Sequence, residues 1–135
     1  MENECVPECS DIPCRASTLE EERESVAKYS ENVIKECRET AKRCNAIVFV
    51  NVRQMTETGL WNTTVAIDRN GETVGKYYKE HLVRNEEVIT KLDAEYTYEH
   101  TLPTVIEIDG IRFGFLTCYD FYFYENFANM ARQNL

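Results

Sequence analysis

The sequence predicts an α/β domain in which one long amphipathic helix covers a sheet built from hairpins. Three observations predict it. From Thr18 to Cys44 apolar residues recur every three or four positions, and the run Ala46–Val52 that follows directly is apolar and β-branched. Two turn dipeptides, Asn70-Gly71 and Asp109-Gly110, each divide a pair of strand-like runs.

Taken in order, residues 1–17 read as irregular, because Pro7 and Pro13 interrupt any helix. The helix then shows Val26, Tyr29, Val33, Cys37, Ala41 and Cys44 as its apolar stripe, set among Glu, Lys and Arg. Either Ser17 with Glu20 or Thr18 with Glu21 can form a capping box at its start, and its end is expected near Cys44-Asn45. Ala46–Val52 reads as a buried strand. Trp61–Asp68 and Glu72–Lys79 read as a hairpin turning at Arg69-Asn70-Gly71. A polar stretch from Glu80 to Thr101 leads to a second hairpin, Pro103–Ile108 and Ile111–Thr117. A helix over Phe121–Gln133 closes the chain. No repeat, low-complexity tract or linker interrupts this order, so residues 1–135 form one unit.

Composition excludes several classes. Eight Tyr, six Phe and one Trp within 135 residues provide a core, which excludes disorder. No window approaches the apolar length of a membrane span, and the start Met1-Glu2-Asn3-Glu4 lacks the basic and apolar regions of a signal peptide. The net charge of −9 disfavours a phosphate-backbone partner, so nucleic acid is not expected. Six cysteines could mark a disulfide framework, but Cys5, Cys9, Cys14, Cys37 and Cys44 crowd the first third while Cys118 stands apart. Without a signal peptide, reduced thiols in the cytoplasm are expected. A zinc site has no support either: there is no C-x-x-C pair and His81 and His100 are the only histidines. No cofactor or metal is expected.

One position carries chemistry on physical grounds. Cys118 falls where an apolar strand gives way to a helix, the place where a sharp turn presents a nucleophile and backbone N–H groups face the same space. A helix N-terminus there also favours the thiolate. Position alone fits better a small apolar cysteine buried at a strand end.

Two segments resolve the choice. Trp61–Leu82, with Asn62, Gly71 and Tyr77-Tyr78-Lys79-Glu80-His81-Leu82, resembles the "N-t-a…d-G…g-Y-x-K-x-H-L" segment of the nitrilase superfamily. These are carbon–nitrogen hydrolases acting on nitriles and non-peptide amides. Gly110–Asp120, with Cys118-Tyr119-Asp120 and Glu125 following, resembles the same family's nucleophile segment. The resemblance implies a Glu-Lys-Cys triad. Lys79 and Cys118 match directly, and Glu8, in Val6-Pro7-Glu8, matches the strand-end Pro-Glu of the family. It also implies a second glutamate after the lysine, Glu86 in preference to its neighbour Glu87, and an oxyanion contact from the backbone N–H of Tyr119. Asp120, Glu125, Asn62 and His81 match positions that support the turn and sheet.

The implied fold is a four-layer α-β-β-α sandwich, of which this chain holds the middle and is incomplete at both ends. The implied activity is hydrolysis of a small-molecule amide, rather than a nitrile, through a thioester acyl-enzyme. The alternative is a truncated, non-catalytic homologue that folds only with a partner or within a longer chain. The resemblance further implies a homo-oligomer when the domain is complete, with Phe121–Gln133 as a contact surface.

Overall fold

The computed structural model describes residues 17–84, 86 and 105–135, together with the backbone of residues 3–5. Helix α1 spans Leu19–Cys44, and its limits follow from its ends. Of the two capping pairs, Thr18 and Glu21 form the cap. The Thr18 hydroxyl accepts the Glu21 N–H at 3.2 Å, and Glu21 Oε2 accepts the Ser17 N–H at 2.7 Å. Asn45 stops the helix in the left-handed region (φ 51), its N–H turned back to the carbonyls of Ala41 and Lys42.

The buried row of α1 is Glu22, Val26, Ser30, Ile34 and Ala41, one residue round from the expected stripe. Tyr29, Val33 and Cys37 sit on the flank of that row, where they line a groove with Val48, and Cys44 is exposed. An i, i+4 row drifts around a helix of 3.6 residues per turn, so over 26 residues several apolar positions become flanking ones.

Four strands form the main sheet in the order β1 (Asn3–Cys5), β2 (Ile47–Thr56), β3 (Gly59–Ile67) and β4 (Thr73–Tyr78). β1 runs parallel to β2, and the other neighbours are antiparallel. Two expectations are corrected here. Part of the stretch read as irregular is an edge strand, too short to show a pattern. β2 also continues past Val52 to Thr56 and turns at Glu57-Thr58 into β3, because Asn51, Arg53 and Gln54, polar in sequence, are buried.

The two faces of this sheet differ. Val48, Val50, Val52, Val65 and Ile67 pack with Ile34 and Ala41 under α1. On the other face Ile47, Phe49 and Ala66 meet Ile106, Ile108, Phe113 and Phe115. Strand register places Asn51 opposite Thr64, Arg53 opposite Asn62 and Tyr77 opposite Thr64, so these residues continue that second face. One face thus runs from an apolar half into a polar half.

The β3–β4 connection is a three-residue loop in which Asp68 and Glu72 pair through Asp68 N–H and Glu72 O at 2.9 Å, with Gly71 at φ 74. Arg38 of α1 donates to the Gly71 carbonyl at 2.8 Å, which fastens the loop to the helix.

β5 (Val105–Ile108) and β6 (Ile111–Gly114) form the second sheet, joined at Asp109 (φ 53) and Gly110 (φ 75), the double left-handed turn that Asp-Gly predicts. β6 ends at Gly114 rather than Thr117. The second sheet lies close on the first: a Cβ at Gly75 would stand 2.5 Å from Ile106 Cδ1 and 2.8 Å from its Cγ1.

Beyond the second sheet the expected single helix is two pieces, a 3₁₀ helix over Cys118–Tyr122 and α2 (Tyr124–Arg132), separated by extended Phe123. Met130 and Leu135 lie against Gly114, and Arg112 donates to the Gln133 carbonyl at 2.6 Å. The end of α2 and the residues that follow it thereby meet β6 at Gly114. The layers run helix, sheet, sheet, helix, the α-β-β-α order. Among the described residues no helix is long and apolar enough to cross a membrane.

Candidate active site

Lys79 follows β4 directly and continues its ladder, its N–H donating to the Asn62 carbonyl at 2.9 Å. That register turns its side chain onto the polar half of the inner face, where it is 1% exposed. A buried ammonium needs a counter-charge. Glu86 supplies it, with Lys79 Nζ donating to Glu86 Oε2 at 2.8 Å. Oε2 also accepts the Val83 N–H at 3.1 Å, and Oε1 accepts Asn62 Nδ2 at 2.9 Å and Arg53 Nη1 at 3.0 Å. Both carboxylate oxygens are therefore fully used. Burial pushes the Glu86 carboxyl upward, but the Lys79 bond, the Arg53 charge and the Asn62 bond outweigh it and hold the group below the usual carboxylate range.

The charge chain runs further than the sequence indicated. Arg53 Nε donates to Glu22 Oε1 of α1 at 2.9 Å, so Glu22, Arg53, Glu86 and Lys79 alternate in sign through the interior. Asn51 Nδ2 donates to Asn62 Oδ1 at 2.7 Å and orients the amide that serves Glu86. Sequence reasoning missed Glu22, Arg53 and Asn51. A signal existed: Arg53 is the one charged residue between Ala46 and Thr56, and Glu22 stands four residues before Val26 on the buried row.

Cys118 opens the 3₁₀ helix, is exposed, and adopts φ 50. A left-handed cysteine at the end of an extended stretch is the sharp presentation the sequence predicted. The expected dipole contribution is corrected, because Cys118 heads a five-residue 3₁₀ segment and α2 begins only at Tyr124. Tyr119, whose N–H was expected to face the reaction, packs its ring edge-on against Phe123 at 5.3 Å.

Asp120 joins the lysine to the cysteine. It is wholly buried and accepts four bonds. Oδ1 takes the His81 N–H at 2.8 Å and faces His81 Nδ1 at 2.9 Å. Oδ2 takes the Tyr77 hydroxyl at 2.7 Å and the Thr117 N–H at 2.9 Å. Tyr77 and His81 flank Lys79, and Thr117 precedes Cys118, so one carboxylate fixes both segments. Burial, followed by the Asp120 charge, pushes the Tyr77 hydroxyl far above its ordinary range, leaving it a permanent donor. His81 also stacks on Phe123, centroids 3.5 Å apart. Beside the lysine, Trp61 and Tyr78 touch at 5.1 Å, and the indole N–H donates to Thr56 Oγ1 at 3.1 Å.

Glu8, Glu87 and His100 lie outside the described residues. The groove lined by Tyr29, Val33, Cys37 and Val48 opens on the α1 side of the sheet, across from Lys79. Among the described residues no group of three His, Cys, Asp or Glu side chains could hold a metal ion.

The family model for carbon-nitrogen hydrolases matches residues 5–135. The chain belongs to the carbon-nitrogen hydrolase family. Solved structures agree on the fold of this carbon-nitrogen hydrolase segment. The Saccharomyces cerevisiae Nit3 protein, a member of branch 10 of the nitrilase superfamily, is 23% identical with a TM-score of 0.73, over 96% of this chain and 46% of its own. The Caenorhabditis elegans NitFhit protein is 22% identical with a TM-score of 0.72, over 95% of this chain and 32% of its own. The amidase from Nesterenkonia sp. AN1, solved in complex with acrylamide, is 18% identical with a TM-score of 0.74, over 96% and 47%. The chain spans less than half the length of each. No curated protein sequence matches it significantly.

Proposed function

We propose that this chain carries the catalytic residues of a thiol hydrolase that cleaves a small-molecule amide, rather than a nitrile, through a thioester. Glu8 takes the proton of Cys118, and Sγ attacks the carbonyl carbon. The oxyanion that forms is met by the Lys79 ammonium and the Tyr119 N–H. The C–N bond breaks as Glu8 returns the proton to the departing amine, and Glu8 then activates the water that hydrolyses the thioester and frees the thiol. Glu86 holds Lys79 charged and in place. A reducing, cytoplasmic setting suits a reactive thiol.

The observation that supports this reading is the buried Lys79–Glu86 pair, together with Asp120, which accepts the His81 N–H two residues after Lys79 and the Thr117 N–H just before Cys118. An ammonium with almost no solvent contact, in a segment that Asp120 links to the residue before a left-handed cysteine, is costly to build for packing alone.

Iodoacetamide labelling of the chain, read by peptide mass spectrometry, tests it. Cys118 should be alkylated far faster than the exposed Cys44, and C118A should abolish amide hydrolysis. Equal labelling of the two thiols would reverse the conclusion in favour of a non-catalytic homologue, and undiminished turnover by C118A would overturn the assignment of Cys118 as the nucleophile.

A further inference from the structure

The loop between β3 and β4 holds a chemically reactive pair. In Asn70-Gly71 no side chain on the second residue hinders its nitrogen, which can attack the Asn70 side-chain carbonyl. In that reaction the Gly71 N–H gives its proton to a solvent base and the nitrogen bonds to Asn70 Cγ. The Cγ–Nδ2 bond breaks, and the NH₂ takes a proton from solvent and leaves as ammonia. Water then opens the cyclic imide at either carbonyl, leaving aspartate or isoaspartate at position 70. Asn70 is exposed, so water and base reach it, whereas Gly71 is buried.

We propose that Asn70 is a latent deamidation site, held shut in the folded chain by Asp68 and by the grip of Arg38 on Gly71. It is independent of the hydrolase reading. Two sets of contacts carry it. Within the loop, the Gly71 N–H that must lose its proton donates to the Asp68 carbonyl at 2.9 Å. Asp68 Oδ1 accepts the Asn70 and Glu72 N–H groups, both at 2.9 Å, and Oδ2 accepts Asn70 Nδ2 at 3.3 Å. Nucleophile and electrophile are thus tied to one residue. From outside, Arg38 Nε donates to the Gly71 carbonyl at 2.8 Å while Nη2 pairs with Glu72 at 3.2 Å. Helix α1 also presses on this glycine: a Cβ added there would stand 2.6 Å from Lys42 Cε and 2.7 Å from the Arg38 carbonyl. The attack requires the peptide between Asn70 and Gly71 to rotate, and it is pinned on both flanks. Modification would undo the contact. A carboxylate at position 70 would face Asp68 Oδ2 in place of the amide, and isoaspartate would lengthen the backbone beneath Arg38.

The rate of deamidation at Asn70, read by peptide mass spectrometry during incubation at neutral pH, tests it. The chains compared are folded wild type, R38M, R38K and G75A, with the wild type in concentrated urea as the open reference. Folded wild type should react at least about a hundredfold more slowly than the unfolded chain, because it reacts only from locally opened states. Arg38→Met removes a charge-assisted hydrogen bond, which should speed the folded reaction about tenfold. Arg38→Lys keeps the charge but not the paired donors, so its rate should fall between the two. Gly75→Ala disturbs the contact of the two sheets away from the loop, and its rate should stay at the wild-type value. Equal rates in folded and unfolded wild type, or no reaction in urea, would overturn the proposal. So would an R38M rate equal to wild type. Acceleration of G75A to the R38M rate would assign the protection to global stability and overturn the role of Arg38.

Discussion

Replacing Asp120 with Asn removes one charge, changes almost no volume, and tests whether that carboxylate holds the site together. The cost can be worked from its four bonds. If the amide oxygen takes the Oδ1 place, it still accepts the His81 N–H, and the new NH₂ can donate to a rotated Tyr77 hydroxyl, but it then confronts the Thr117 N–H. If the oxygen takes the Oδ2 place, Thr117 and Tyr77 are satisfied, and the NH₂ confronts the His81 N–H. Either orientation strands one buried backbone donor. Such a donor costs about 1–3 kcal/mol, and the surviving bonds weaken as they lose charge assistance, so about 2–4 kcal/mol in total is expected. For a chain of this size that is a fall of about 10 °C in melting temperature. Activity should fall further than stability, because the stranded donor belongs to the segment of either Lys79 or Cys118. Thermal melts followed by circular dichroism, with Cys118 labelling measured well below the variant's transition, give both numbers. An Asp120→Asn variant that melts within about 2 °C of wild type, a shift worth under about 1 kcal/mol, would refute the idea that Asp120 is the joint.

Further expectations follow from other elements. Glu86 is held below its ordinary value of 4.5, so it contributes stability above that pH and loses it as pH falls through the lowered value. Urea melts of wild type and E86Q should differ most above pH 4.5 and converge in acid; a gap independent of pH would contradict this. Gly75→Ala should destabilise by about 1–3 kcal/mol, because its Cβ overlaps Ile106 Cγ1 as well as the tip. Gly110→Ala, with open space around it but φ 75, should cost only about 1 kcal/mol. Equal losses at the two glycines would argue against the close approach of the sheets. Lys79→Ala should lower amide turnover by about a hundredfold or more, the usual loss for an oxyanion donor, and a smaller kinetic loss would remove Lys79 from that role.

Much of the fold was legible because it depends on local chemistry. Thr18 with Glu21, Asn45, Asn70-Gly71 and Asp109-Gly110 act within a few residues, and each marks the boundary it does for reasons of backbone geometry. The end of β2 was misread for a different reason. Asn51, Arg53 and Gln54 look like a loop beginning, yet they are strand residues whose partners, Asn62, Glu86 and Glu31, come from elsewhere in the chain. Polar residues held by tertiary contacts carry no local period. At the site, Lys79 and Cys118 stood out through motifs, whereas Glu22 was one of 24 acidic residues until α1 was laid against the sheet. The division of the last helix at Phe123 was hidden as well, since it follows from His81 stacking on that ring and Asn126 bonding to the Asp120 carbonyl at 3.0 Å.

The contact between Trp61 and Tyr78 gives the molecule an optical handle. Trp61 is the sole tryptophan, so all indole emission originates there. Its chain neighbour is Asn62, which serves Glu86, and its ring partner is the residue immediately before Lys79. Ultraviolet excitation therefore interrogates the ends of β3 and β4 with no label attached. Any event that shifts those strands, whether acylation of Cys118 or loss of the Arg53 fork, is placed to alter the spectrum of a single chromophore.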